Sequence, residues 1–203
     1  MARPRRSDDT RALLIEEGAA GLLFNGYHGT GIKQVLDKVG VPKGSFYNYF
    51  DSKESFAQAV IEHHSLCVQR NLAEAFVGAP DALTGLRRFF ARLTDDFVAA
   101  EYTGGCLIAN LGGELEGSEV LRGALSDAWA TWRDGVAAAL RTAQAEGAVR
   151  ADIDAADLAD LLLESWEGAV IRMKLDRTVA PLDKCLRRLL DDYFRPDRAS
   201  VAV

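Results

Sequence analysis

Apolar residues recur along the first part of the chain at Leu14, Gly18 and Leu22, with Ile15 and Ala19 alongside. This i, i+4, i+8 stripe between about Asp8 and Asn25 predicts an amphipathic helix. Asp8 and Asp9 suit its positive N-terminal end. The run Asn25-Gly26-Tyr27-His28-Gly29 then breaks the pattern with turn residues. A second, short helix is predicted from Thr30 or Gly31, either of which can cap it; it buries Ile32, Val35, Leu36 and Val39 and stops at Gly40. Pro42 fits the first turn of a third helix running through Lys43-Gly44-Ser45-Phe46-Tyr47-Asn48, because its missing N–H costs nothing there. Only Gly40-Val41 lies between the two, so the pair reads as a helix-turn-helix.

Ser52 reads as the cap of a fourth helix reaching towards Arg70, with Phe56, Ala59, Val60 and His63 on its inner side. Beyond Gly78-Ala79-Pro80 the pattern predicts helices at about 81–99, 106–115, 118–146, 154–176 and 181–194, punctuated by Gly104-Gly105, Gly117, Gly147 and Pro181. No convincing strand, repeat or low-complexity tract is present. The expected fold is therefore all-α with about nine helices: a three-helix helix-turn-helix domain over residues 1–54, then a larger helical domain over 55–203. Its last two helices carry wide apolar faces, Leu158, Leu161, Leu162, Ala169 and Val170 on one and Leu182, Leu186, Leu189, Leu190 and Phe194 on the other. A monomer need not bury both. Leu158, Leu162, Leu182, Cys185, Leu186 and Leu189 are thus expected at a two-fold homodimer interface.

Composition narrows the class. A chain of 203 residues can bury a core without disulfides, and 48% hydrophobic with 27% charged residues is ordinary for a globular protein. No apolar run is long enough to span a bilayer, and MARPRRSDD lacks the apolar stretch of a secretory signal, so a cytoplasmic protein without membrane contact is expected. Cys67, Cys106 and Cys185 are scattered, odd in number and without ligand spacing, which predicts thiols. His28, His63 and His64 have no carboxylate or cysteine at metal spacing; no metal and no cofactor is expected. The net charge of −6 is uneven, with 8 Lys/Arg against 7 Asp/Glu in residues 1–54 and 16 against 23 beyond. Any cationic footprint lies at the N-terminus.

That half also carries the candidate chemistry. A helix entering the major groove needs short side chains and donors at its N-terminal end, where backbone N–H groups face phosphates. Lys43, Gly44 and Ser45 supply charge, close backbone approach and a hydroxyl for a base edge or phosphate. Four aromatics, Phe46, Tyr47, Tyr49 and Phe50, cannot all face inward at 3.6 residues per turn. Phe46 and Phe50 suit the core, which leaves Tyr47 and Tyr49, with Asn48, Lys43 and Lys53, for a partner; duplex DNA is the economical choice. Arg3, Arg5 and Arg6 form a basic arm suited to an adjacent minor groove, or equally a solvated tail.

The stretch Gly26-Tyr27, Thr30 and Gly40-Val41-Pro42-Lys43-Gly44-Ser45-Phe46-Tyr47-Asn48-Tyr49-Phe50-Asp51-Ser52-Lys53-Glu54 resembles the DNA-binding domain of the TetR family. The resemblance implies phosphate contacts from Thr30, Tyr49 and Lys53 and groove contacts from Lys43, Ser45, Tyr47 and Asn48. Pro42 departs from the Ser or Thr common there, so the usual side-chain cap is missing. Gly104-Gly105-Cys106-Leu107-Ile108-Ala109-Asn110-Leu111-Gly112-Gly113-Glu114 and Trp166-Glu167-Gly168-Ala169-Val170-Ile171-Arg172-Met173-Lys174 resemble the branch of acrylate-responsive and N-ethylmaleimide-responsive repressors. The resemblance implies a homodimer joined by a four-helix bundle, a palindromic operator with half-sites about 34–36 Å apart, and a small effector that releases the DNA. It also makes Cys106 the position of the reactive thiol. Two glycines and a helix N-terminus are a setting that favours thiolate; a cysteine at a crowded helix junction is equally a small buried hydrophobe. An effector cavity is expected from Cys106, Asn110, Phe90, Trp129, Trp132, Trp166 and Met173, although three tryptophans in one helical domain could equally be core.

Two other readings stay open at this point. Cys106 could only line a pocket for a noncovalent effector. A cysteine-dependent enzyme is the remote one: its histidines lie far along the chain, and Glu114 and Glu116, two apart on a helix, face different ways. No catalytic residue is therefore assigned.

Overall fold

The computed structural model describes residues 4–115 and 117–196, with side chains from Asp8 onward. Arg3, the side chains of Arg5 and Arg6, and Glu116 lie outside the described residues. Within them the chain is all-helical: α1 (Pro4–Gly29), α2 (Ile32–Val39), a 3-10 segment (Lys43–Asn48), α3 (Lys53–Phe76), α4 (Ala82–Ala99), α5 (Leu107–Gly112), α6 (Glu119–Ala145), α7 (Ala155–Asp176) and α8 (Ala180–Leu186), which continues as a π-helical stretch Arg187–Tyr193.

These elements gather into two compact units. The first comprises the chain through Leu66 together with Cys106–Trp129; the second comprises Cys67–Gly105 and the chain from Ala130 onward. A stretch more than a hundred residues into the sequence thus folds with the N-terminal helices.

In the first unit Leu14, Leu22, Leu36, Phe46, Phe56, Val60 and Ile61 form a core that also takes in Leu107, Leu111 and Leu121. Gly18 lets α1 cross α3 closely, since a Cβ there would stand 2.3 Å from Phe56 Cζ. α1 does not stop at Asn25 as its pattern suggests. It kinks at Gly26, whose φ of 69° and ψ of −179° only glycine adopts easily, and resumes through Gly29. α2 ends as expected at Gly40, left-handed at φ 71°, with Gly40 N–H donating to Asp37 O and Val41 N–H to Leu36 O. This is a Schellman closure, which aims the chain straight into Pro42. Ser52 caps α3 reciprocally: its Oγ accepts from Ser55 N–H at 3.0 Å, and Ser55 Oγ accepts from Ser52 N–H at 3.0 Å.

In the second unit Leu86, Phe89, Phe90, Leu140, Leu158, Leu162, Trp166, Met173, Leu182 and Phe194 are all buried. Asp81 caps α4 through Thr84 N–H at 2.7 Å and Asp154 caps α7 through Ala156 N–H at 2.7 Å. Gln144 ties the connection that follows α6, donating to the carbonyls of Arg150 (2.9 Å) and Ile153 (2.8 Å).

The buried set corrects part of the expected dimer face. Leu158, Leu162 and Leu182 are already enclosed within one copy, at 0–1% exposure, and have no surface left for a second. Cys185, Leu186 and Leu189 are half-buried. What α7 leaves in solvent is Leu161, Ile171 and, at 73% exposure, Leu175.

Candidate nucleic-acid interface

The segment after α2 is a 3-10 helix rather than the expected α-helix, and Pro42 caps it from outside instead of occupying its first turn. Ser45 N–H donates to Pro42 O at 2.9 Å, the i+3 bond of the tighter helix. No side chain caps it, as the proline implies. Phe46 and Phe50 anchor the segment from below, packing on Phe56 with ring centroids 5.8 Å and 4.9 Å away. Arg11 lies over the Phe50 ring at 5.1 Å. With the two phenylalanines inside, Tyr47 and Asn48 face out while Tyr49 packs partly against the core. Tyr47 is 70% exposed, a large aromatic held in water by an ordered scaffold. Lys43, Gly44 and Asn48 are exposed as well, and Ser45 and Tyr49 are half-buried. The segment therefore presents one ammonium, one bare backbone turn, an amide and a phenol in six residues.

Two other expected contacts lie differently. Thr30 is 3% exposed, and its hydroxyl donates to Gly26 O at 2.7 Å while its N–H reaches the same carbonyl at 3.2 Å. Its polar group pins the turn between α1 and α2, and the implied phosphate contact is corrected to a structural one. Lys53 stands half-buried with its Nζ 4.6 Å over the Tyr27 ring. Burial lowers its pKa and the nearby Glu114 carboxylate partly opposes this, so its charge is oriented rather than free to roam.

The expected effector residues fall in both units, Cys106, Asn110 and Trp129 in the first and Phe90, Trp132, Trp166 and Met173 in the second. In the second unit Phe90, Trp166 and Met173 are packed solid, with Phe90 and Trp166 rings 4.7 Å apart and Phe97 stacked on Trp166 at 6.4 Å. Trp132 borders a cavity of about 530 Å³ with Leu72, Phe76, Gly135 and Ala139. In the first unit Trp129 lines a cavity of about 410 Å³ with Ile108, Leu115 and Leu125. Cys106 is half-buried at the N-cap of α5, and Asn110 donates its Nδ2 to Leu23 O at 3.2 Å. Cys106 follows two pairs of positive-φ residues separated by Thr103: Glu101 and Tyr102 have φ of 53° and 61°, Gly104 and Gly105 have 74° and 98°. Sequence reasoning passed over Glu114 as a site residue, yet its carboxylate accepts from the N–H groups of Tyr27 (2.8 Å) and His28 (3.3 Å). The hint available was a flexible Gly26 turn whose amides need an acceptor from elsewhere.

Among the described residues no cluster of His, Cys, Asp and Glu could hold a metal ion, and no helix is long and apolar enough to cross a membrane. A helix-turn-helix with an exposed polar reading segment, backed by a larger helical body, defines a DNA-binding transcriptional regulator. Residues 15–60 match the family model for bacterial regulatory proteins of the tetR family, and residues 82–189 match the model for a tetracyclin repressor-like C-terminal domain. The chain belongs to the TetR family of transcriptional regulators. It is 36% identical to the transcriptional regulator AcuR of Cereibacter sphaeroides over 91% of this chain and 87% of that one. It is 34% identical to the transcriptional repressor DhaR of a Mycobacterium species, over 87% and 88% of the two chains. The crystal structure of Escherichia coli NemR in its reduced form superposes with a TM-score of 0.83 at 28% identity, covering 90% of this chain and 96% of that one. Regulators of this family bind DNA and small-molecule effectors and act as dimers. The chain is a DNA-binding repressor of that type, not an enzyme.

Proposed function

We propose that this repressor works in the cytoplasm as a homodimer on a palindromic operator and is released by a small electrophile or unsaturated carbonyl or carboxylate compound sensed through Cys106. Residues 1–54 serve the DNA, through Lys43, Gly44, Ser45, Tyr47, Asn48, Tyr49 and Lys53, with the arm Arg3, Arg5 and Arg6 beside them. Residues 55–203 serve the effector and the second copy. The observation that carries the DNA reading is Tyr47, 70% exposed between two buried phenylalanines. An ordered, exposed tyrosine beside an exposed lysine is the kind of rigid amphipathic anchor that binding surfaces favour.

The dimer reading is supported by α7 and α8. α7 leaves Leu161, Ile171 and Leu175 exposed, and the two helices share a groove of about 530 Å³ lined by Gly168, Ala169, Cys185 and Leu189. Burial pushes the Cys185 thiol up to about 11, so it stays a protonated packing group. Leu189→Glu is expected to yield monomers in sedimentation while leaving helicity intact.

The sensing reading is supported by the place of Cys106 at the head of a short helix in the same unit as the DNA-reading segment, and by a relative whose solved form is named as reduced. The test is intact-protein mass spectrometry alongside operator anisotropy after treatment with N-ethylmaleimide. The expected result is one adduct on Cys106 and loss of operator binding, both absent in Cys106→Ala. Release in Cys106→Ala equal to that of the wild type would overturn it in favour of a noncovalent effector.

A further inference from the structure

Cys106, Asn110 and Glu114 stand four apart, along one face of α5 and the turn that ends it. Leu23 and Tyr27 have the same spacing on α1. In an unbroken helix the Leu23 carbonyl and the Tyr27 amide would be each other's partners. At the Gly26 kink, α5 supplies a partner to each: Asn110 Nδ2 donates to Leu23 O at 3.2 Å, and Glu114 Oε2 accepts from Tyr27 N–H at 2.8 Å and His28 N–H at 3.3 Å. The fit leaves no slack, since a Cβ on Gly26 would stand 1.9 Å from Glu114 Oε1. On the other side of the kink, Gly26 O takes both the hydroxyl and the N–H of Thr30. Four residues beyond Glu114, Ser118 Oγ bonds the Glu54 carboxylate in the first turn of α3, next to Lys53.

We propose that Glu114 and Asn110 are positioning residues for DNA binding: α5 replaces one turn of α1 hydrogen bonding and thereby fixes the direction in which the chain enters α2 and the Lys43–Asn48 segment. A displacement of α5 is then read directly as a change in the presentation of Tyr47 and Lys43. The inference rests on that segment being the one that faces DNA. Glu114 itself is exposed, and its carboxylate also acts on the charge of Lys53, so the test must separate the turn it holds from that charge.

The experiment uses full-length wild type, Glu114→Ala and Glu114→Gln. Amide hydrogen exchange is followed residue by residue, melting temperature is recorded, and affinity is measured for a duplex from the repressor's own locus. Glu114→Ala is expected to speed exchange at Tyr27 and His28 selectively and weaken operator binding about three- to tenfold, as befits one or two solvent-accessible hydrogen bonds, with the melting temperature held within about 2 °C. Glu114→Gln, which keeps an acceptor oxygen, should restore both. Unchanged exchange at these two amides in Glu114→Ala overturns the proposal. So does operator binding in Glu114→Gln as weak as in Glu114→Ala with the amides protected, which would make the effect one of charge beside Lys53. If the wild type binds no duplex, the DNA reading itself fails, while amide exchange still decides whether the clamp exists.

Discussion

The Lys43–Asn48 segment carries Phe46 and Tyr47 and helix α7 carries Trp166, and the two elements spend their aromatic side chains in opposite ways. α7 turns Trp166 inward to 1% exposure against Phe90 and Phe97. The 3-10 segment buries Phe46 but leaves Tyr47 in water. In α7 the apolar content explains itself by packing, so it says nothing of a ligand. In the 3-10 segment packing accounts for only half of the aromatics, and the remainder points to a partner. A surplus over what the fold needs is what marks a site.

Breaking the packed side should give the largest effect on stability. Trp166→Ala is expected to cost about 3–5 kcal/mol, seen as a lowered denaturation midpoint. Gly18→Ala comes next: with Phe56 Cζ only 2.3 Å from the new methyl, overpacking of about 1–3 kcal/mol is expected, and a loss below experimental error would mean that α1 and α3 can part freely. His64 offers a comparison by pH. Burial, with His63 beside it, lowers its pKa from 6.5 to about 4, so the fold prefers the neutral ring. The stability this preference confers is whole above pH 6.5 and is lost as pH falls towards 4. We expect about 3 kcal/mol across that window, measured as the difference in urea midpoints between wild type and His64→Gln. Lys33→Ala, which removes an exposed pair with Asp37 at 3.9 Å, should change stability by less than about 0.5 kcal/mol. Tyr47→Ala belongs with it on the stability scale and apart from it on DNA.

Much of the helical layout could be read from periodicity and punctuation. Gly40, Ser52 and Gly147 mark ends that the structure keeps, because a left-handed glycine or a hydroxyl cap acts locally. Where outcomes depend on distant partners the sequence was silent. The extension of α3 to Phe76 is hidden behind Gln69-Arg70-Asn71, and only Leu72 and Ala75, buried beyond them, reveal the helix going on. The 3-10 form of Lys43–Asn48 follows from Gly44 and Ser45, weak helix formers, placed directly ahead of the anchors Phe46 and Phe50. Thr30 reads from the sequence as a helix cap or a phosphate contact, and only the Gly26 kink gives its hydroxyl a carbonyl instead. Glu114 found its amides 87 residues away, beyond the reach of any spacing rule.

The central claim is that Lys43 and Tyr47 meet duplex DNA. Its most direct measurement is fluorescence anisotropy of an operator duplex with wild type and Lys43→Ala/Tyr47→Ala across a series of salt concentrations. The account predicts tight, steeply salt-dependent binding by wild type and at least about a hundredfold loss in the double variant at an unchanged melting temperature. Equal affinity of the two proteins at every salt concentration would contradict it.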